Sequence, residues 1–495
     1  MKLLTIIIFL FNLIIFIFPL SNYSLLFPFN TLYLSELENI SLYNESFTNS
    51  IVRNIFESNI FIDIKLGTPI QIIKLQINAN SDDFFIARPD ADFDMKYPKR
   101  NGNFYFNHSL SSTFDYQIGK EDEIYFSHPH LSNYVQDSFI FYSTNPKNKE
   151  LTINGFNFLL AYQVRESLQG VVGLKGFANI IRRVDIFTSL KNYNITNNYI
   201  WYLKYDNSTN GNLVIGNYPH DDEYIKANCN DCIYKKKHFE KIYSYKTDKN
   251  WKYPWALTFK NLIIKNKTEY QFILEDCEKC KIAELDPNLG IIKGSKKYKD
   301  IIEDSLFKKY INKNICYKDI LTINKNYEEN SYDYYYCESS IKNELKNEFN
   351  NIIFEHREFK TNFSLDFDDL FFEEKELLFF KMIFDEYYNF IFGSPFINKY
   401  QFVFNSDSKE IGFYSKNIMN IDEDEEENEN KSTDNNNNKN NDNKNNENNY
   451  IVLKIIGIII LAALLILIGI FIGKKLFSSK RKMRMNELQD NFDIN

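Results

Sequence analysis

"FIDIKLGTPIQIIKLQINANSDDFFIA", Phe61 to Ala87, alternates apolar and polar residues on either side of a tight turn, then ends in a knot of small polar residues. Ile62, Ile64 and Leu66 alternate with Asp63 and Lys65. Ile73, Leu75 and Ile77 alternate with Lys74, Gln76 and Asn78. That two-residue period is the mark of half-buried β-strands. Gly67-Thr68-Pro69 interrupts it with turn residues. The stretch predicts two strands, the second of which delivers Asn78-Ala79-Asn80-Ser81 as a loop ahead of the aromatic Phe85.

The same texture continues from Ile51 to Ser415. "LTINGFNFLL", "IWYLKY", "GNLVIG" and "YQFVFN" each have a strand's length and pattern. Asn154-Gly155 between apolar flanks predicts a two-residue hairpin turn. One helix is expected in "KYKDIIEDSLFKKYI", where Ile301, Ile302, Leu306 and Tyr310 fall near helical spacing. The fold class expected from this pattern is all-β with short helices.

The chain of 495 residues can bury a sizeable core. Its net charge of −8 argues against a nucleic-acid partner, which would need a basic face. Met1-Lys2 followed by the uncharged run Leu3–Leu20 reads as a signal peptide over residues 1–20. Residues 21–50 follow as an N-terminal segment or propeptide. Near the other end, Ile455 to Gly473 carries no charge and is long enough to span a bilayer as a helix, within a segment 450–473. Lys474, Lys475, Lys480, Arg481, Lys482 and Arg484 follow, so the positive-inside rule places the tail 474–495 in the cytoplasm. The expectation is a single-pass type I protein of a secretory-pathway membrane or the cell surface, its ectodomain lumenal or extracellular. Residues 418–449 are acidic and Asn-rich, with a stretch from Asp422 lacking any apolar residue, and read as a disordered stalk.

Six cysteines, at 229, 232, 277, 280, 316 and 337, suit an oxidising compartment, and disulfides are the expected use. Cys316 with Cys337 is the best-supported pair. "CNDC" and "CEKC" have the form of a zinc site as the alternative, and no metal is assigned. Sequons at Asn39, Asn44, Asn107, Asn194, Asn207, Asn266 and Asn362 fit a glycoprotein.

The opening stretch resembles the first active-site region of pepsin-like aspartic proteases, where an Ile/Leu-Gly-Thr-Pro-x-Gln turn leads by a fixed interval into Asp-Thr-Gly-Ser and an aromatic. Gln71 to Asn78 keeps the interval, and Phe85 stands at the family's Trp. "SLQGVVGLKGF", with Gly170, Gly173 and Leu174, is similar to the family's Asp-Gly-Ile-Leu-Gly-Leu stretch. "GNLVIGN" is similar to its inter-lobe strand, and "IFGSPFINKYQFVFNSDSKEIGFYS" to its C-terminal signature. "CKIAELDPNLGIIKGS" fits the second loop and puts Asp286 at the second aspartate. The resemblance implies a bilobal fold, with lobes over 51–205 and 206–417, no cofactor, and a peptide or protein as ligand. It also implies Tyr125, ahead of Asp137, as the flap tyrosine, with Phe126 and His128 in place of its glycines.

The family's reaction needs two carboxylates sharing one proton. This chain has Asn78 at the first position, and an amide is neither acid nor base near neutrality. Ala79 and Pro287 replace the threonines that cross-brace the two loops in the family. Asn80 and Asn288 replace glycines, as residues that tolerate left-handed backbone. The site expected on this resemblance comprises Asn78, Asp286, Ser81, Phe85 and Tyr125. Three functions compete: a non-catalytic relative that binds in the cleft, an active endopeptidase with an atypical loop, and a surface adhesion or receptor protein. Asp82 and Asp83 are considered as substitute acids and set aside, because a one-residue slip would turn the strand's apolar face outward.

Overall fold

The computed structural model describes residues 24–33, 46–93, 99–116, 125–127, 130–164, 169–176, 184–196, 198–228, 234–243, 255–265, 269–274, 280–325, 328–349, 351–356, 362–386 and 389–414. The signal stretch, the acidic stalk, the apolar run Ile455–Gly473 and the basic tail lie outside them. Among the described residues no helix is long and apolar enough to cross a membrane.

These residues build a mostly β structure of two sheets, 14 strands in one and 12 in the other. Asn59–Leu66 and Gln71–Asn78 pair as the antiparallel hairpin expected, with Ile64 opposite Ile73. Their alternating faces bury Ile62, Ile64, Leu66, Ile73, Leu75 and Ile77 in the main core. The first sheet draws on both ends of the described chain. Leu25–Leu32 pairs with Asn210–Ile215 and with Asn59–Leu66, and Leu25, Phe27 and Phe29 are buried. At the other end of the chain, Val403–Asn405 pairs with Ile200–Tyr205 and with Glu410–Tyr414.

Two local expectations change. Asn154-Gly155 is no hairpin turn: Glu150–Val164 runs through it as one strand. Opposite Asp137 and Phe139 the register shifts there, and Gly155 takes φ +72. The pair therefore makes a β-bulge, which uses the same left-handed freedom of glycine that a tight hairpin turn would. "YQFVFN" is a strand only from Val403; Tyr400 ends the helix Ser394–Tyr400, and Gln401 caps it with φ 46. The helix expected around Ile302 is present as Lys296–Ile302, a π-type turn Glu303–Phe307 and Lys308–Ile311, burying Tyr298, Ile302, Leu306, Phe307 and Tyr310.

Cys316 and Cys337, opposite one another on paired strands, form the expected disulfide. Cys280 is disulfide-bonded as well; its partner falls outside the described residues, as do Cys229, Cys232 and Cys277. Of the sequon asparagines, Asn194, Asn207 and Asn362 are exposed.

Candidate functional site

The chain makes the same crossed motif twice, once in each sheet. In the first sheet, Gln71–Asn78 runs parallel to Gly170–Gly173, with Asn78 opposite Gly173. After the loop, Phe84–Phe93 returns antiparallel on the other edge of that short strand, with Phe84 opposite Val172. In the second sheet, Ile282–Leu285 runs parallel to Phe390–Phe392, with Leu285 opposite Phe392. Ile292–Ser295 then returns antiparallel, with Ile292 opposite Phe392. Phe84 lies six residues past Asn78 and Ile292 six past Asp286, so the two motifs share one register.

One glycine in each motif makes this crossing possible. A Cβ on Gly173 would lie 2.5 Å from Ser81 O, and one on Gly393 would lie 2.0 Å from Leu289 O. Both contacts are far inside van der Waals distance. Backbone therefore packs on backbone where each inserted strand passes beneath its loop.

The heads of the loops match bond for bond. Asn78 Oδ1 accepts from Asn80 N at 2.9 Å, and Asp286 Oδ1 accepts from Asn288 N at 3.0 Å. Ser81 N donates to Asn78 O, and Leu289 N to Asp286 O. Each residue at the candidate catalytic position thus spends one side-chain oxygen on its own turn, an Asx-type closure that an amide and a carboxylate perform equally. Asn78 and Asp286 are both partly exposed.

Asparagine amides join the two loops. Asn288 Nδ2 donates to Ile77 O at 2.8 Å, while its Oδ1 accepts from Ile60 N at 3.0 Å. From the first loop, Asn80 Nδ2 donates to Glu284 Oε1 at 2.9 Å. Neither asparagine is among the described residues with positive φ, so the left-handed role expected of them is overturned. They stand where they do for their amides. Their side chains are the described links between the two loops and the strands that carry them.

Ser81 braces its loop from within, its Oγ accepting from Asp83 N at 3.1 Å and its carbonyl from Lys175 N at 3.0 Å. Phe85 is 1% exposed and packs with Ala87, Leu159, Ala161, Val164, Val171 and Val184, so it serves the core. Of Tyr125 the backbone pairing with Ser132 is described, and its side chain lies outside the described residues, like those of His128 and His130. Asp137 is fully buried and gathers Ser111 Oγ, Thr113 Oγ1 and its neighbour's amide Ser138 N.

Asp82 and Asp83 are buried, and Asp82 Oδ2 lies 3.9 Å from Lys175 Nζ. Behind them burial pushes the Asp185 carboxyl above its ordinary range, and the charge of Asp82 adds to this. The register Asn78–Gly173 rules out the slip that would bring either carboxylate to the loop head. The second loop is backed by apolar groups instead. Leu289 and Ile291 pack with Val52 and Phe56 of the helix Phe47–Phe56, and Gly290 lies under Ile55 O.

Glu284 is the site residue that the sequence reading passes over. It stands two residues before Asp286, half-buried in a strand whose Ile282, Ala283 and Leu285 are all buried. Its counterpart in the first motif is Gln76, two residues before Asn78. A carboxylate at this offset in "AELD" was the available signal.

A scan against protein-family models finds no match to this chain, and a search of curated proteins finds none either.

Proposed function

We propose that this chain is a divergent relative of the pepsin-like aspartic proteases, bilobal and without the family's catalytic dyad. It holds a peptide or protein segment where its two loops meet. In this reading the signal stretch and the apolar run Ile455–Gly473 make it a single-pass protein of the secretory pathway or cell surface, with the site lumenal or extracellular.

The observation that carries the reading is the pairing of equivalent loop heads with an amide at one and a carboxylate at the other. Hydrolysis requires one carboxylate to take a proton from water while the other supplies one. Asn78 occupies its position with the bonding of the carboxylate and none of its proton chemistry. The test is cleavage of an unfolded protein at acidic pH by the full-length protein and its Asn78→Asp variant, with and without a transition-state-mimicking inhibitor of the family. Inhibitor-sensitive cleavage by the variant alone is expected. The same cleavage by the unmodified protein would overturn the reading.

A second reading, an endopeptidase with an atypical loop, draws on the carboxylate of Asp286 at the head of the second loop and that of Glu284 two residues before it in the strand Ile282–Leu285. Losing one acid/base group costs about 10²–10⁴ in rate, so this reading predicts slow turnover that Asp286→Ala abolishes.

A further inference from the structure

A strand at the border of a sheet leaves half of its main-chain groups without a partner strand, and that open row is a template for pairing with another chain. Among the described strands, one border of the second sheet is Asn362–Leu365, which pairs on one side only, with Asn351–His356. Phe363 and Leu365 are fully buried and hold the strand in the core. Between them the strand alternates, so that Asn362 is exposed and Ser364 half-buried.

Ser364 shows how this border is closed. Its main-chain N–H donates to the Tyr400 hydroxyl at 2.5 Å, and that hydroxyl donates to Ser364 O at 2.8 Å. Both groups therefore point away from the partner strand, as they do at every second residue of an antiparallel pair. Two residues earlier, the same alternation turns the main-chain groups of Asn362 outward. No described side chain takes them up as Tyr400 does at Ser364. The residue left open in this way begins Asn362-Phe363-Ser364, a glycosylation acceptor sequence. Its side-chain amide is on the exposed side and makes no hydrogen bond among the described residues.

We propose that Asn362 carries an N-linked oligosaccharide, and that this glycan guards the open end of the second sheet's border against strand addition by another chain. A glycan suits the place because it is bulky, hydrated and offers no strand to pair. In its attachment Asn362 Nδ2 attacks the anomeric carbon of a lipid-linked oligosaccharide diphosphate. The C–N bond forms as the C–O bond to the diphosphate breaks, the lipid diphosphate leaves, and the amide nitrogen gives up one proton. Asn207 provides an internal comparison. It is exposed where Ile200–Tyr205 turns into Asn210–Ile215, and its Oδ1 accepts from Thr209 N and Asn210 N, each at 2.9 Å. A glycan there covers a turn rather than a strand border.

The inference rests on the lumenal or extracellular placement in the reading above. Its test uses full-length protein made in eukaryotic secretory cells and purified in detergent. Enzymatic deglycosylation in heavy-oxygen water, followed by peptide mass spectrometry, marks each occupied asparagine as labelled aspartate, and label is expected at position 362. Asn362→Gln and Ser364→Ala both destroy the acceptor sequence. Each is expected to lose soluble protein several-fold faster during incubation just below the melting temperature, with the melting temperature itself unchanged. Ser364→Thr, which keeps the acceptor sequence, and Asn207→Gln are expected to behave as the unmodified protein does. Label at Asn207 with none at Asn362 would overturn the proposal and leave the placement standing. Label at Asn362 with no faster loss in Asn362→Gln and Ser364→Ala would overturn the guarding role. Absence of label at every acceptor asparagine would overturn both the proposal and the placement.

Discussion

The loop after Asn78 and the loop after Asp286 share their register, their turn-closing bonds and their buried glycine, yet differ in most of the side chains they present. The first arm offers Gln76, Asn78 and Asn80; the second offers Glu284, Asp286 and Asn288. Behind the first lie Asp82, Asp83, Lys175 and Asp185; behind the second lies an apolar helix face. What the two keep in common is the part set by backbone packing, which tolerates no drift. The negative charge presented at the meeting point belongs to the second arm alone. Structure and chemistry have therefore separated: one arm provides the frame and the other the charge.

The comparison breaks most readily at the glycines. Gly393→Ala would put a methyl 2.0 Å from Leu289 O and 2.2 Å from Ile291 O, and Gly173→Ala one 2.5 Å from Ser81 O. Both are expected to lose about 3 kcal/mol or more, or to yield no folded protein, as read by thermal unfolding and soluble yield. A mild effect at one site only would show that the two crossings are not equivalent.

Next in size is an effect confined to the second sheet. His356, at the end of the strand Asn351–His356, is buried against Phe259 and Phe363, and burial lowers its pKa from 6.5 to about 4. The unfolded chain takes up the proton below pH 6.5 while the folded chain refuses it until about pH 4. Stability contributed by the neutral ring is thus complete above pH 6.5 and falls away between 6.5 and 4, by about 3 kcal/mol. Denaturant unfolding across that range should show the loss, and His356→Phe should flatten it. An unchanged slope in the variant would place the acid sensitivity elsewhere.

The braces come third. Asn288 makes two bonds to main-chain groups of the first sheet and Asn80 one to a side chain, so Asn288→Ala is expected to cost about 2 kcal/mol and Asn80→Ala about 1. Equal costs in denaturant titrations would mean that the second arm does not hold the first in place. The smallest effect belongs to Asn78→Asp. The new carboxylate keeps the acceptor used by Asn80 N, so at pH 4 the change in stability should stay under about 1 kcal/mol.

How much of this was legible in the sequence depends on the kind of interaction involved. The hairpin around Gly67 was, because alternation over Ile62–Leu66 and Ile73–Ile77 writes burial directly into residue order. The Cys316–Cys337 disulfide was the best-supported pair, and the paired strands that set the two cysteines opposite one another came only with the structure. Gly155 misled, since a glycine with positive φ serves a bulge and a hairpin turn alike, and the difference lies in where the partner strand runs. The asparagine braces were invisible for another reason. Asn80 and Glu284, or Asn288 and Ile77, meet only after two sheets have formed, and a single amide carries no periodic signature of its distant partner. The family resemblance pointed at their missing hydroxyls and, by treating the asparagines as glycine substitutes, hid their use.

The strand Leu25–Leu32 has a consequence for how the protein is made. It is made before the rest of the first sheet, yet its main partner, Asn210–Ile215, is among the later parts of that sheet to arrive, and the edge strands at Val403 and Glu410 come later still. At about 5–20 residues per second, Leu25, Phe27 and Phe29 wait on the order of ten seconds or more with no complete place to go. A strand of that hydrophobicity, paired until then only along Phe29–Leu32 with Asn59–Leu66, is a natural client for a chaperone. Interruptions of synthesis between residues 32 and 210 should therefore leave the nascent chain more prone to aggregation than interruptions after Ile215.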